Sequence, residues 1–278
     1  MVVGDEILAA IGHTPLVRLH QVVPRGCAEI LVKVEGRNPT GSMKDRMAQA
    51  MIRVAERDGR LKPGATVVEC TGGSAGAALA LVCAAKGYRL RIVDSVESAR
   101  RLGREPGTFW TDHLHNTDSI TGYHSMGQEI WAQCEGRVDA FVQAVGTAAS
   151  LRGAASLLRY HRQRRLRVVA VEPAESAVLS GGEPGAHGIA GIGLGYPPPL
   201  WDASLVDEVV TVSTADAEAM ARRLAREESL CAGISSGANV LAAIRIGSRL
   251  GPAARVVTVL ADRTVRERTA PVGQTLTP

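Results

Sequence analysis

The chain has 278 residues, of which 45% are apolar and 3% aromatic, and its net charge is +4. The apolar content excludes a disordered chain. A nucleic-acid-binding protein is not expected either, because the sequence shows neither a basic face nor a platform of aromatic side chains. The length predicts two lobes or one large domain with a sizeable core.

Neither a membrane segment nor a secretory signal is evident. The longest apolar run, residues 75–85, is far shorter than the roughly 20 residues that cross a bilayer. The N-terminus lacks a basic stretch followed by an apolar one. The cysteines are odd in number and scattered, which predicts reduced thiols in a cytoplasm rather than disulfides or a metal site: Cys27, Cys70, Cys83, Cys134 and Cys231.

Short β-branched runs alternate with glycine-rich turns and alanine-rich helical runs. Strands are predicted over residues 67–70, 89–93, 140–145, 167–171 and 256–260. Helices are predicted over residues 77–86, 151–161, 216–228 and 239–250. This alternation predicts an α/β fold with parallel sheets covered on both faces. Residues 172–205 break the rhythm with many Gly and Pro residues, and such a long loop is more often functional than idle.

Three predicted strand–turn–helix junctions combine glycines with hydroxyl side chains: residues 71–76, 146–150 and 233–237. Each can direct backbone N–H groups and a hydroxyl toward an anion, with help from the helix dipole. Ligands of parallel α/β sheets bind at the carboxyl ends of strands, where these turns lie. Together they indicate a small anionic ligand, although a glycine can also simply relieve a tight turn.

The turn over residues 38–46 places Ser42 as a plausible N-cap and Lys44 in the first turn of a helix. The positive end of the helix dipole lowers the pKa of a lysine there. A neutral amine is what Schiff-base chemistry requires. The alternative is a solvated lysine within a Lys–Asp–Arg cluster.

A serine hydrolase is a remote alternative, because Ser74 and Ser235 both fit the pattern G-x-S-x-G. Asp139, with His161 or His187, would complete a triad. The pattern occurs twice in one chain, so it discriminates poorly.

Taken in order, these segments resemble the pyridoxal-phosphate-dependent cysteine synthase (O-acetylserine sulfhydrylase) family. The resemblance is carried by residues 11–19, 38–46, 71–76, 145–153, 191–196 and 233–237. It implies a two-lobed fold-type-II enzyme, similar to the tryptophan synthase β chain, with mostly parallel sheets flanked by helices. The smaller, mobile lobe would comprise residues 1–12 and 35–143, and the larger lobe residues 13–34 and 144–278.

The resemblance also implies a cofactor, pyridoxal 5'-phosphate, bound covalently by Lys44. Further cofactor contacts would come from Ser74, Gly146, Thr147, Ala148, Ala149, Ser150, Arg263 and Thr264. The substrate would be held by Thr71, Gly72, Gly73, Ser74, Ala75, His113 and Gly191.

The implied reaction is β-replacement on an O-acylated serine, and the cofactor supplies the electron sink. Lys44 would remove the α-proton, acetate would leave, and a sulfur nucleophile would add. A cytoplasmic homodimer is expected on the same grounds.

Several residues depart from the family pattern. Gly72, Ser74 and Ala75 stand where the family usually has Ser, Asn and Thr, and His113 stands in place of a Gln. Arg263 is a poor partner for a protonated ring nitrogen.

The phosphate turn departs too. Ala148 and Ala149 replace glycines, so both are expected to keep negative φ. After Asp94 the chain lacks a helix and a strand of the small lobe, a unit of ~30 residues. These departures leave an alternative open, that of a non-catalytic homologue acting as a binding partner.

Overall fold

Two parallel sheets flanked by helices build the fold. The computed structural model describes residues 3–162 and 166–263. Its helices are α1 Val3–Ala9, α2 Lys44–Arg57, α3 Ser74–Lys86, α4 Val96–Leu102, α5 Asp118–Gln133, α6 Ala149–Arg162, α7 Thr214–Glu227 and α8 Ile234–Leu250. Its strands are β1 Leu16–Arg18, β2 Glu29–Val34, β3 Thr66–Cys70, β4 Arg89–Val93, β5 Thr108–Trp110, β6 Ala140–Ala144, β7 Arg167–Pro173, β8 Glu208–Val212 and β9 Arg255–Leu260. Within these residues, no helix has the length and apolar content to cross a membrane.

The larger sheet has six strands in the order β1-β2-β9-β6-β7-β8. All neighbours pair in parallel except β1 and β2. Successive side chains of a strand point to opposite faces, so Phe141 and Val142 enter different cores. Phe141 packs in the core that also holds α5 and α6, and Val142 packs in the core that holds α7 and α8. Helices therefore cover both faces of the sheet, as the alternation of elements predicts.

The smaller sheet contains three parallel strands in the order β4-β3-β5. β4 lies at an edge, and only Asp94 and Ser95 separate it from α4. Ile92 and Val96 are 42% and 48% exposed at this edge. The helix and strand that the resemblance predicts after Asp94 would lie beyond this edge strand, where their loss leaves the rest of the sheet intact.

The predicted boundary between the lobes, after residue 143, falls inside β6. This strand pairs with β7 and β9 of the larger sheet. We therefore propose that the smaller lobe ends before Ala140 rather than after residue 143.

Candidate active site

The segment before α2 is fastened to the end of β9. The backbone N–H of Met43 donates to the carbonyl of Ala261 at 2.9 Å, and the N–H of Arg263 donates to the carbonyl of Gly41 at 2.9 Å. Ser42 and Asp262 form an isolated β-bridge between these bonds. Helix α2 then begins at Lys44. The carboxyl edge of the larger sheet thus fixes where the lysine side chain starts.

Lys44 lines a pocket at this edge of the sheet. Burial lowers the pKa of its amine to about 8, and the charge of Asp262 opposes that shift. Within the described part of the chain, the amine makes no ion pair or hydrogen bond. The predicted direction of the pKa shift is confirmed, but its main cause is burial rather than the helix dipole.

The pocket draws on turns that follow strands of both sheets. From the turns it takes Ser42, Met43, Lys44, Ser74, Gly146, Thr147, Ala190, Gly191 and Ile192. From β6, α6, α8 and the end of β9 it takes Gln143, Ala144, Ser150, Ser235, Asn239, Ala261 and Asp262. All three predicted anion-binding turns thus contribute a side chain or backbone, and so does the Gly- and Pro-rich loop, through residues 190–192.

The turn over residues 146–150 carries β6 into α6. A Cβ at Gly146 would lie 2.3 Å from the carbonyl oxygen of Gly191, so only glycine fits there. The hydroxyl of Thr147 accepts the backbone N–H of Ala149 at 3.4 Å. Gly146, Thr147 and Ser150 line the pocket at the N-terminus of α6. Backbone N–H groups and hydroxyls of this kind are suited to a phosphate.

The expectation of negative φ at both alanines of this turn is wrong for Ala148. Its φ is +68°, in the left-handed region that disfavours a residue with a Cβ. The side chain is nevertheless buried, with 3% exposed. Nests of N–H groups alternate right- and left-handed residues, so the turn keeps the backbone of an anion site although an alanine occupies it.

The turn over residues 71–75 leads from β3 into α3. Ser74 faces the Lys44 pocket, whereas Ala75 is buried in the core. Gly72 and Gly73 are exposed, and an added Cβ on either would meet no atom within 4 Å. Neither steric crowding nor a positive φ explains these glycines, which is typical of backbone that a ligand approaches closely. Thr71 instead stabilises the turn, accepting the Gly73 N–H at 3.2 Å.

His113 lies next to this turn because β3 and β5 are parallel neighbours. Its ring Nδ1 is 3.0 Å from the buried carboxylate of Glu69, and its backbone N–H donates to the same oxygen at 3.0 Å. Thr111 donates to that oxygen at 2.6 Å. Burial raises the pKa of Glu69, but His113 and Thr111 outweigh this effect and lower it. The imidazole is therefore fixed at the carboxyl edge of the small sheet.

Arg263, a predicted cofactor contact, does not line the pocket that contains Lys44. The Arg263 side chain is exposed and packs over Gly36 and Gly41, where the absence of Cβ atoms leaves room for it. Thr264 lies outside the described residues. Asp262 and Ser235 line the pocket at this edge instead, and Ser235 belongs to the third predicted anion-binding turn.

The alternative of a serine hydrolase gains no support from the geometry. His161 stacks on Trp131 with 4.9 Å between ring centroids, and His187 has its Nε2 2.8 Å from the Gly193 carbonyl. Neither histidine lines the pocket that contains Ser74.

Gln143, Asn239 and Asp262 are pocket residues that sequence reasoning missed. Asn239 joins β6 to β9, since its amide accepts the Ala144 N–H at 2.6 Å and donates to the Val259 carbonyl at 2.8 Å. Asp262 Oδ1 and Gln143 Oε1 are buried and have no hydrogen-bond partner in the described residues. A glutamine inside an apolar strand, directly before an anion-binding turn, was the available signal.

These features fit a pyridoxal phosphate. One pocket contains the Lys44 amine, whose pKa is lowered to about 8, and a turn with hydrogen-bond donors for a phosphate. It also contains the oxygens of Gln143 and Asp262 that have no partner in the described residues. The chain matches the profile of the family described as "Pyridoxal-phosphate dependent enzyme" in two segments, residues 7–98 and 93–262. It therefore belongs to this family of pyridoxal-phosphate-dependent enzymes. The two segments overlap at residues 93–98, at the end of β4, where the chain is shorter than the sequence resemblance predicts.

The chain is also similar to individual proteins of this family. The chain is 38% identical to a cysteine synthase of Staphylococcus aureus over 96% of both chains. A cysteine synthase from Entamoeba histolytica superposes with a TM-score of 0.88 at 32% identity, covering 92% of this chain and 87% of that one. An O-ureido-L-serine synthase superposes with a TM-score of 0.85 at 36% identity, covering 92% and 91%. The fold-type-II architecture inferred from the sequence is thereby confirmed.

Proposed function

We propose that this enzyme replaces the β-substituent of an O-activated serine, such as O-acetylserine, with a sulfur nucleophile. The observation that carries the proposal is the half-buried Lys44 amine, which has no hydrogen-bond or ion-pair partner among the described residues and shares its pocket with a turn of phosphate donors. The similarity to a cysteine synthase and to an O-ureido-L-serine synthase supports the substrate class. In the reaction the Cβ–O bond breaks, acetate leaves, and a Cβ–S bond forms.

Lys44 would bind the cofactor covalently, and Gly146, Thr147 and Ser150 would hold its phosphate. When bound, pyridoxal phosphate supplies an electron sink for the carbanion at Cα. With a pKa of about 8, the Lys44 amine can both take up the α-proton and return it near neutral pH. Lys44 is thus the catalytic base of the proposal.

The substrate would lie between Lys44 and the turn over residues 71–75. The exposed backbone of Gly72 precedes α3, so an amino-acid carboxylate would find the Gly72 N–H there together with the favourable helix dipole. The His113 ring lies beside this turn, with its Nδ1 3.0 Å from Glu69. These residues orient the substrate, whereas Lys44 moves the proton.

Covalent capture of the cofactor tests the proposal. Wild-type protein incubated with pyridoxal phosphate should gain a visible absorption band, and borohydride should fix the label on Lys44 in a peptide map. Lys44→Ala should lose both. The matched control is Lys86→Ala, because Lys86 pairs with Glu56 at 2.7 Å outside the pocket, and this variant should be labelled like the wild type.

The pH dependence sharpens this test. Only the neutral amine attacks the cofactor, so the initial rate of capture should rise with pH and level off above about 8. Addition of O-acetylserine and sulfide should then release acetate and cysteine. Capture without turnover would favour the non-catalytic alternative, and labelling elsewhere than Lys44 would disprove the assignment.

We further propose a cytoplasmic homodimer. The described cysteines are all free thiols, which suits a reducing compartment, and the dimer rests on family resemblance. Light scattering coupled to gel filtration gives the mass directly. A monomeric mass at micromolar concentration would contradict the dimer.

A further inference from the structure

Gln143 is a polar residue in the middle of the larger sheet. It belongs to β6, every residue of which is buried, and it is itself only 1% exposed. The strand runs between β7 and β9, and the Gln143 side chain lines the pocket that contains Lys44. A buried amide is unfavourable unless it is hydrogen-bonded, and its partners therefore indicate its purpose.

The amide nitrogen of Gln143 donates to the hydroxyl oxygen of Ser150 at 2.7 Å. The same nitrogen lies 3.7 Å from the sulfur of Met43. A thioether only accepts hydrogen bonds, so this neighbour favours the nitrogen, not the oxygen, on that side. The amide oxygen is then left without a partner in the described residues.

This arrangement determines the direction in which the Ser150 hydroxyl can donate a hydrogen bond. Because the Ser150 oxygen accepts from Gln143, its own O–H is available to a second acceptor. Ser150 lines the pocket in the first turn of α6, beside Gly146 and Thr147. Hydrogen bonds to an ionised acceptor are about twice as strong as neutral ones. A phosphate in this turn would therefore accept a hydrogen bond from the Ser150 O–H.

We propose that Gln143 is a positioning residue that fixes the Ser150 hydroxyl as a donor to the cofactor phosphate. The inference rests on the proposed function, because it takes the anion in this turn to be that phosphate. Gln143 acts through Ser150 and plays no part in the covalent chemistry at Lys44. Its effect is therefore confined to ligands that carry the phosphate.

Binding of pyridoxal phosphate and of pyridoxal, which lacks the phosphate, separates this role from a structural one. Dissociation constants are measured on apoprotein by titration of the absorption band. Gln143→Met, which keeps the volume and removes the donor, should weaken pyridoxal phosphate about tenfold, the loss of one hydrogen bond to a charged system. Its affinity for pyridoxal should stay as in the wild type.

Ser150→Ala supplies the second half of the experiment. In that background Gln143→Met should have no further effect, because the hydroxyl that it positions is gone. The matched control is Thr258→Val, which removes a buried 2.7 Å hydrogen bond to the Val142 carbonyl outside the pocket. It should lower thermal stability without changing the ratio of the two affinities.

Two results would overturn the inference while leaving the proposed function standing. One is equal weakening of both ligands by Gln143→Met, and the other is an undiminished effect of this substitution in the Ser150→Ala background. If wild-type protein fails to capture pyridoxal phosphate at Lys44, the proposed function itself falls, and the inference with it.

Discussion

Lys44 and Arg46 lie two residues apart on α2, yet their cations differ in the number of hydrogen-bond partners. The guanidinium of Arg46 donates to Glu35 at 2.8 Å and to Glu129 at 2.7 Å. Lys33 also pairs with Glu129, at 2.7 Å. The Lys44 amine has no such partner in the described residues, and the acceptors Gln143 Oε1 and Asp262 Oδ1 near it are equally unpaired.

The contrast separates structural polar groups from functional ones. Buried polar atoms are normally hydrogen-bonded, so each exception calls for an explanation. The Arg46 guanidinium finds its partners within the protein, and the network joins β2, α2 and α5. The Lys44 amine finds none in the part of the chain that the structure describes, as expected of a site built for a ligand.

Removing each cation should therefore affect stability very differently, and this is the largest expected effect. Arg46→Met leaves the fully buried Glu35 carboxylate without its cation and should lower the free energy of unfolding by about 3–5 kcal/mol. Lys44→Met removes an amine without a polar partner and should stay within about 1 kcal/mol of the wild type. Urea denaturation of the apoproteins measures both.

Arg222→Met is the surface control for this comparison. Its 3.5 Å pair with Glu218 is exposed on α7, and such pairs contribute about 0.3–0.5 kcal/mol. Equal losses from Arg46→Met and Lys44→Met would show that the two surroundings do not differ as the contacts indicate.

Acid titration sharpens the comparison with a smaller effect. Burial would raise the pKa of Glu129, but Arg46 and Lys33 outweigh it and lower the pKa from 4.5 to about 2. The unfolded state then binds more protons, so stability is complete above pH 4.5 and declines as the pH falls toward 2. This shift corresponds to about 3 kcal/mol, and Glu129→Gln should remove that part of the pH dependence.

Asp262, which lines the pocket, should change the stability with pH in the opposite direction. Burial raises its pKa above 3.8, although the Gly233 N–H and the Lys44 charge oppose the shift. The folded state holds the proton more tightly, so this carboxyl destabilises the apoprotein as the pH rises through its titration. Asp262→Asn should therefore flatten a loss of stability at higher pH, as measured by denaturation at each pH. An identical profile for Glu129→Gln and Asp262→Asn would contradict the comparison.

The sequence predicted features that leave a local signal and missed those that depend on tertiary contacts. Strands with apolar runs were placed well, and the prediction over residues 89–93 coincides with β4. Lys44 and the three predicted anion-binding turns, which share one pocket, could be singled out because glycine, hydroxyl and lysine leave local signals. Helix α5 was missed although its buried residues Ile120, Tyr123, Met126 and Ile130 recur at helical spacing, and so was the short β5.

The polar groups that tertiary contacts bring together could not be predicted. Asp262 carries no local signature that sets it apart from ordinary polar residues, and Gln143 offered only the signal of a polar residue inside an apolar strand. Their importance depends on burial without a partner, which only the folded chain shows. Arg263 shows the reverse, because its position in the sequence pointed to the cofactor while its side chain packs over Gly41.

The smallest expected effect lies in the phosphate turn. Ala148 holds a φ of +68°, which is unfavourable by roughly 1–2 kcal/mol for a residue with a Cβ, whereas glycine adopts it freely. Ala148→Gly should raise the free energy of unfolding by about 1 kcal/mol, since glycine also makes the unfolded chain more flexible. It should leave the affinity for pyridoxal phosphate unchanged or improved, because the N–H groups keep their directions.

Ala149→Gly is the matched control one residue further on. Ala149 begins α6, is fully buried and is not among the residues with positive φ, so glycine there should lower stability by about 0.5–1 kcal/mol. Thermal and urea unfolding of both variants distinguish the two positions. If Ala148→Gly destabilised the protein as much as Ala149→Gly, the left-handed turn would not be a strain retained for anion binding. Opposite signs at the neighbouring alanines would show that the left-handed conformation of Ala148 is strained, as backbone at functional sites often is.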